Sequence, residues 1–187
     1  IGLVGSEMCI RDRAYTFGTA GRPSKRSFMR SQGLRGVSSS RATGFSSDIS
    51  CALDGRGVDA VLNSLTSPGM IASSTSSISY GGAFVEIGKR EIWSTLRFQS
   101  ERADVSYALL ATDFMTRDFI GKQLDKIASA CTDGCLSPIR HVQWKLASVT
   151  HALRHMVQAR QIGKIVVRGY EKNCLLYTSD AADDRVS

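Results

Sequence analysis

Three cations follow the first β-prone run of the chain within a few residues. The run is Tyr15–Thr19, and Arg22, Lys25 and Arg26 come after it with no acidic residue among them. Pro23 favours the first turn of a helix, and the free N–H groups of such a turn attract an anion. In a dinucleotide-binding fold, basic residues after the second strand receive the 2′-phosphate of NADP, whereas an acidic residue selects NAD. The spacing therefore predicts a phosphate-binding turn, with a solvated basic turn as the alternative.

Two further pairs have spacings that invite a metal or redox interpretation. His151 and His155 are four residues apart on one side of a predicted helix, but no Glu follows His151 and no third ligand is evident. Cys131 and Cys135 depart from the C-x-x-C redox spacing and have no second cysteine cluster to pair with. Surface histidines and cysteines near a helix end are the expected outcome, and we predict no metal site.

Length and composition narrow the class of protein. The chain has 187 residues and a formal net charge of +7, which fits one domain or a piece of one. No apolar run approaches the roughly 20 residues that a membrane span needs. Five scattered cysteines do not form a disulfide framework, so a reduced, intracellular setting is expected.

The β-prone runs alternate with helical segments. Strands are predicted at Tyr15–Thr19, Leu34–Val37, Val58–Leu62, Ala83–Ile87 and Ile165–Val167. Helices are predicted from Pro23 to Gly33, through Phe45, Ile49 and Leu53, over Ser67–Ser79, from Phe119 to Cys131, and from Val149 to Val157. The mostly apolar run at Val58–Leu62 suits a strand that is buried on both faces. This alternation predicts a doubly wound parallel α/β sheet with right-handed crossovers, although no G-x-G-x-x-G loop is present.

The two ends of the chain do not fit this pattern. One permitted back-translation of Cys174–Thr178, extended by one nucleotide, has a reverse complement that encodes Met8–Asp12. The ends can therefore be one inverted DNA repeat, and we expect residues 1–13 and 174–187 to be an adapter-like, non-native head and tail. The remaining residues 14–173 carry a net charge of +9 and three of the five cysteines.

Four segments carry a family resemblance, in this order and spacing: GTAGRPSKRSFMRSQG, GVDAVLNSL, GGAFVEIGKREIW and QIGKIVV. Together they closely resemble the enoyl-reductase domain of type I polyketide synthases and animal-type fatty acid synthases, within the medium-chain dehydrogenase/reductase superfamily. The resemblance implies a Rossmann-like doubly wound sheet without its first strand, followed by a helix and strand that return to a mostly missing GroES-like catalytic subdomain. Residues 14–140 would be the partial NADPH-binding Rossmann subdomain, and residues 141–173 the return.

The resemblance also implies an activity and partners. It implies NADPH-dependent reduction of an α,β-unsaturated thioester on acyl carrier protein, with hydride added at the β-carbon and a proton at the α-carbon. Other synthase domains would lie in the same polypeptide, and no metal, nucleic acid or membrane span would be involved. A cytoplasmic location is expected, or a plastid one where a missing N-terminus carries a transit peptide. The isolated fragment is expected to be inactive.

Specific positions match the family's functional residues. Lys25 and Arg26 match the 2′-phosphate site beside Arg22, with Gly21 allowing close approach. The other matches are Asn63 and Ser64 at a strand end beside the cofactor, Gly88 and Lys89 beside the nicotinamide, and Asp113 as the acidic partner of Lys89. A lysine near a developing enolate stabilises it and can deliver the proton when burial lowers the lysine pKa. A nearby aspartate would hold that lysine charged, and an exposed charged loop is the alternative.

Two other interpretations of the function stay open. A stand-alone quinone or enone oxidoreductase of the same superfamily would share these motifs, and so would a non-catalytic structural remnant of a synthase.

The positive charge by itself also fits nucleic-acid binding. The cations are spread along the chain, however, and aromatic residues do not interleave with them. A positive surface also suits docking of an acidic carrier protein.

Overall fold

The computed structural model describes residues 14–169, which form two compact units, 14–136 and 137–169. The predicted head 1–13, the predicted tail 174–187 and residues 170–173 lie outside the described part. Within that part, no helix has both the length and the apolar character that crossing a membrane requires. The predicted functional division between residues 140 and 141 stays a prediction.

The first unit alternates strands with helices. Its elements are β1 (Phe17–Thr19), α1 (Pro23–Ser31), β2 (Gly36–Ser38), α2 (Phe45–Ala52), β3 (Val58–Asn63), α3 (Met70–Ser76), β4 (Ile78–Glu86), α4 (Thr95–Glu101), β5 (Ser106–Leu109) and α5 (Arg117–Thr132). Strands β1 and β2 pair in parallel, and β3, β4 and β5 form a second parallel sheet in that order. The predicted α/β fold with parallel strands is confirmed.

Several boundaries differ from the sequence-based expectations. The helix predicted over Ser67–Ser79 is shorter, because Ser77 ends it and β4 already begins at Ile78. The prediction that β3 is buried on both faces is wrong: Leu62 is 65% exposed. Among the described strands β3 pairs only with β4, so its other edge has no strand partner.

One aromatic and aliphatic core holds α3 and α4 against the second sheet. It consists of Ile71, Ile78, Phe84, Phe98 and Val105, with Val61, Trp93 and Tyr107 packed around it. The Phe98 ring is stacked on Tyr107 at 4.5 Å between centroids and lies 4.9 Å from Phe84. This cluster fixes the sheet from which the candidate site residues extend.

A partly buried ion pair in the segment before β5 ties that segment to the end of α3 and the start of β4. The Arg102 guanidinium donates to both carboxylate oxygens of Asp104 at 2.8 and 2.7 Å. It also donates to backbone carbonyl oxygens of Thr75, Ile78 and Ser79. The side-chain hydrogen bond from Arg102, with a smaller contribution from the Gly81 N–H, lowers the pKa of Asp104 to about 2.

The second unit consists of β6 (His141–Lys145), α6 (Val149–Val157) and β7 (Lys164–Arg168). Strands β6 and β7 pair in parallel, with His141 opposite Lys164. The helix and β7 agree with the sequence-based prediction, whereas β6 was not predicted. Its residues HVQWK contain only two apolar side chains and carry little strand signal.

Candidate active site at the carboxyl ends of the strands

The basic turn lies directly after β1, where the sequence predicts it. Arg26 is half-buried, and its Nη1 donates to the carbonyl oxygens of Ala20 and Gly21 at 3.0 and 3.2 Å. One guanidinium nitrogen of Arg26 therefore braces the turn itself. Lys25 makes no hydrogen bond or ion pair with the described residues, so its ammonium can receive an anion.

Gly21 faces a cation that sequence reasoning missed. A methyl group built on Gly21 would lie 3.0 Å from Nε of Arg41 and 3.6 Å from Oγ of Ser40. The Arg41 side chain, from the loop after β2, thus lies against the glycine and makes no hydrogen bond or ion pair with the described part of the chain. The absent glycine side chain and these cations fit the phosphate end of a dinucleotide. The signal for Arg41 was its place just after a strand of a parallel sheet.

The side chain of Asn63 is part of a buried network at the ends of β3 and β4. Only 2% of Asn63 is exposed. Its amide nitrogen donates to Glu86 at 2.7 Å and to the Leu65 carbonyl, while its oxygen accepts from Leu65 N and from Ser74 Oγ. The amide is fully engaged within the protein, so its proposed contact with a cofactor stays a prediction. Ser64, the next residue, is exposed.

Glu86 is the buried centre of that network and was not selected from the sequence. It is fully buried, and its second carboxylate oxygen accepts from the Gly88 N–H at 2.6 Å. The signal was a lone carboxylate in the otherwise apolar run AFVEI. Burial first, and the negative charge of Glu86 second, raise the pKa of the Tyr107 phenol.

Gly88 occupies a position where a side chain does not fit. A methyl group built there would lie 2.7 Å from Cγ2 of Thr66, 2.8 Å from Oε1 of Glu86 and 3.2 Å from Cγ2 of Ile92. The glycine therefore lets the chain turn tightly over the end of β4. The next residue, Lys89, leaves this turn towards solvent.

Lys89 and Asp113 form an ion pair, as the family resemblance implies. The ammonium of Lys89 donates to the Asp113 carboxylate, which lies in a short 3₁₀ turn after β5. Both side chains are exposed, at 63% and 64%, so the expected burial of the lysine is wrong and the exposed charged loop stays open as the alternative. The two residues are 24 positions apart in sequence, and the parallel pairing of β4 with β5 brings their segments together.

An open cleft of about 330 Å³ is lined by the segments that lead into α3 and α4, and neither Lys89 nor Asp113 is among its lining residues. Its lining includes Ser67, Glu91, Trp93 and Arg97. The Arg97 guanidinium lies 4.4 Å from the centroid of the Trp93 ring, and Tyr107 donates its hydroxyl to the Trp93 carbonyl. The cleft thus combines an aromatic wall with one cation and one carboxylate.

The histidine and cysteine pairs provide no metal site within residues 14–169. No group of three or more His, Cys, Asp or Glu side chains in that range is arranged to hold a metal ion. The ring of His155 packs against Trp144 at 5.9 Å within the second unit. Cys131 and Cys135 are both free thiols.

Chemically, the arrangement offers a proton donor and an anion site at strand ends. The ammonium of Lys89 can stabilise a developing negative charge, and Asp113 holds that ammonium in place. Ligands of open α/β sheets bind outside the carboxyl ends of the strands, where these residues lie. The cations after β1 can hold a phosphate.

Comparisons with known proteins give a consistent picture. A family model described as zinc-binding dehydrogenase matches residues 32–167. The mycocerosic acid synthase-like polyketide synthase of Mycolicibacterium smegmatis is 34% identical over 159 residues, which cover 82% of this chain and 8% of that protein. Erythronolide synthase EryA2 of Saccharopolyspora erythraea is 32% identical over 169 residues, 89% of this chain and 4% of that protein. The chain therefore spans less than a tenth of either relative.

Solved structures extend the match to the fold. The CurF ER cyclopropanase from the curacin A biosynthetic pathway superposes with a TM-score of 0.83 at 31% identity, covering 88% of this chain and 50% of that chain. The CurK enoyl reductase gives a TM-score of 0.77 at 32% identity, with the same coverage. The nucleotide-binding subdomain of the PpsC enoylreductase domain from Mycobacterium tuberculosis gives 0.62 at 27% identity, covering 71% and 76%.

Proposed function

Because the chain belongs to the zinc-binding dehydrogenase family, as an enoyl-reductase domain of the polyketide synthase type, we propose that it reduces an α,β-unsaturated thioester with NADPH. The Lys89–Asp113 ion pair at the ends of β4 and β5 is the observation that carries this proposal. The thioester would be presented on acyl carrier protein by neighbouring synthase domains.

The cofactor's phosphate end would be held by the residues after β1. Lys25 and Arg41 carry the positive charge, and Gly21 leaves room for close approach. Arg26 fixes the turn through its bonds to two carbonyl oxygens. NADPH, when bound, supplies the hydride that adds to the β-carbon of the thioester.

Lys89 then completes the reduction. Hydride addition at the β-carbon leaves negative charge on the thioester oxygen and the α-carbon. The Lys89 ammonium stabilises that charge and gives one proton from Nζ to the α-carbon. Asp113 orients the ammonium before the transfer and favours its return to the charged form afterwards.

Zinc has no part in this scheme. The family model carries zinc in its description, but the residues from 14 to 169 offer no cluster of three ligands for it. No step is therefore routed through a metal.

The experiment compares two lysines that each form an exposed ion pair. Lys89→Met and Lys122→Met are made in the complete domain encoded by the native transcript, and reduction of a crotonyl thioester is followed with NADPH and with NADH. Lys122 pairs with Asp118 on α5 and is the matched control. We expect Lys89→Met to lower kcat by about 10²-fold or more, as removal of a general acid does, and Lys122→Met to leave it unchanged.

Two results would count against the proposal. Equal kcat for wild type and Lys89→Met would show that Lys89 is not the proton donor. Equal turnover with NADH and with NADPH would show that the residues after β1 do not recognise the 2′-phosphate. The 187-residue chain alone, assayed in parallel, is expected to show little turnover.

A further inference from the structure

A fully buried carboxylate lies at the end of the strand that leads to Lys89. Glu86, the last residue of β4, has no exposed surface. One carboxylate oxygen accepts from Asn63 Nδ2 at 2.7 Å and the other from the Gly88 N–H at 2.6 Å. A carboxylate is acceptor-only, so it satisfies both donors, whereas a neutral amide would turn a donor towards one of them.

Glu86 also holds the segment on its other side. Its backbone carbonyl oxygen accepts from Leu110 N at 2.8 Å, at the point where the chain leaves β5 towards Asp113. The carboxylate meanwhile holds Gly88, the residue before Lys89. One buried residue thus contacts both chain segments that carry the ion pair.

Asn63 in turn fixes the Glu86 side chain. Its amide oxygen is held by Leu65 N and Ser74 Oγ, so the amide cannot rotate without breaking these bonds. The backbone adds a further tie, since Ile87 N donates to the Asn63 carbonyl oxygen at 2.9 Å. The position of the Glu86 carboxylate is therefore fixed by Asn63 at the end of β3 and, through Asn63, by Ser74 on α3.

We propose that Glu86 is a positioning residue that sets the Lys89–Asp113 pair for proton transfer, with Asn63 as its anchor. The proposal rests on the function proposed above. It explains why β4 ends on a buried acid: an apolar residue there would leave the Gly88 N–H and one N–H of the Asn63 amide without an acceptor. Glu86 touches neither substrate nor cofactor in this scheme and acts through the turn at Gly88.

The test uses three variants: Glu86→Gln, the double variant Glu86→Gln/Asn63→Asp, and Glu101→Gln. In Glu86→Gln, the amide nitrogen of the introduced glutamine faces the amide nitrogen of Asn63, and both groups are donors. The double change exchanges the polarity of the pair, so the introduced amide donates to the introduced carboxylate and still accepts from the Gly88 N–H. It also removes the 3.2 Å hydrogen bond from residue 63 to the Leu65 carbonyl, because a carboxylate cannot donate. Glu101 is an exposed acid on α4 and provides the control for the same chemical change.

Kinetics of the complete domain give the first readout. We expect Glu86→Gln to lower kcat by about tenfold or more with KM for the thioester little changed, because an interaction made for the transition state is weakened. The double variant should recover part of that loss, because the bond to the Leu65 carbonyl stays broken, and Glu101→Gln should match wild type. The proposal is overturned if Glu86→Gln keeps full kcat, or if the double variant fails to recover activity although it folds.

A second readout on the 187-residue chain does not depend on catalysis. The side-chain nitrogen resonance of Lys89 is recorded by NMR with and without Asp113→Asn. In wild type this change should shift the Lys89 signal. In Glu86→Gln the shift should be at least halved, and it should return in the double variant. An undiminished shift in Glu86→Gln refutes the positioning role even where no thioester is reduced, so the two proposals fail separately.

Discussion

Phe98 is the centre of the aromatic core, and its replacement tests how firmly α4 and β5 are held. The ring is fully buried and contacts the rings of Phe84 at 4.9 Å, Tyr107 at 4.5 Å and Trp93 at 6.3 Å. Phe98→Ala removes the ring and leaves a cavity, which typically costs about 3–5 kcal/mol of unfolding free energy. Phe98→Leu keeps most of the apolar volume but loses three ring contacts, each worth about 0.5–1.5 kcal/mol. We therefore expect a loss of about 4 kcal/mol for alanine and about 2 kcal/mol for leucine.

Phe114 provides the matched control, because its side chain is 89% exposed. Phe114→Leu should change the unfolding free energy by less than about 0.5 kcal/mol. Urea unfolding of the 187-residue chain, followed by tryptophan fluorescence, gives all three values. The reasoning is refuted if Phe98→Leu and Phe114→Leu have the same effect, or if Phe98→Ala costs less than Phe98→Leu. Near-ultraviolet circular dichroism should lose intensity in the Phe98 variants only.

Three further outcomes are expected. The pKa of Asp104 is lowered to about 2 in the folded chain, chiefly by the Arg102 hydrogen bond, so its stabilising effect is present above pH 4 and lost as the pH falls towards 2. Asp104→Asn should therefore make the urea midpoint of unfolding depend less on pH over that interval. An unchanged pH dependence of the midpoint would contradict this prediction. Arg41→Gln should raise the NADPH dissociation constant by about tenfold and leave that of NADH unchanged, since a charge-assisted phosphate contact is lost. An equal effect on both cofactors would show that Arg41 does not contact the 2′-phosphate. Gly88→Ala should lower kcat because a methyl group would lie 2.8 Å from the Glu86 carboxylate, and amide exchange at the Gly88–Lys89 turn should become faster; unchanged exchange would show that the turn adapts.

Much of the fold could be predicted because apolar runs between turn-forming residues indicate strands. Val58–Leu62 and Ala83–Ile87 correspond to β3 and to the carboxyl half of β4. Each run is apolar except for one acidic residue and lies between turn-forming residues. Strand β5 was missed because SYAL is only four residues long, and helix α4 because TLRFQSE has only two apolar residues. Tertiary packing stabilises them: Phe98 on α4 and Tyr107 on β5 stack on each other.

The candidate site was predictable where chemistry depends on residue type and not where it depends on three-dimensional contacts. The family motifs pointed to Lys89 and Asp113, and the structure pairs them. Neither motif nor periodicity shows that the Asn63 amide is hydrogen-bonded to Glu86 and to its own neighbours. The bond to Glu86 joins residues 23 positions apart in sequence. Arg41 was missed for the same reason, since its contact with Gly21 crosses from one strand end to the next.

The strand pairings also bear on how this chain folds. Every strand pair in residues 14–169 is parallel, and three of them join partners 23 positions apart, as Val61 with Phe84, Phe84 with Tyr107 and His141 with Lys164. Each pairing must close a loop that contains a helix, so formation on the millisecond-to-second scale of non-local topologies is expected. During synthesis at roughly 5–20 residues per second, a strand would wait about 1–5 s for its partner. For that interval its edge is open to other chains, which makes translation speed and chaperone supply determinants of the yield of folded protein.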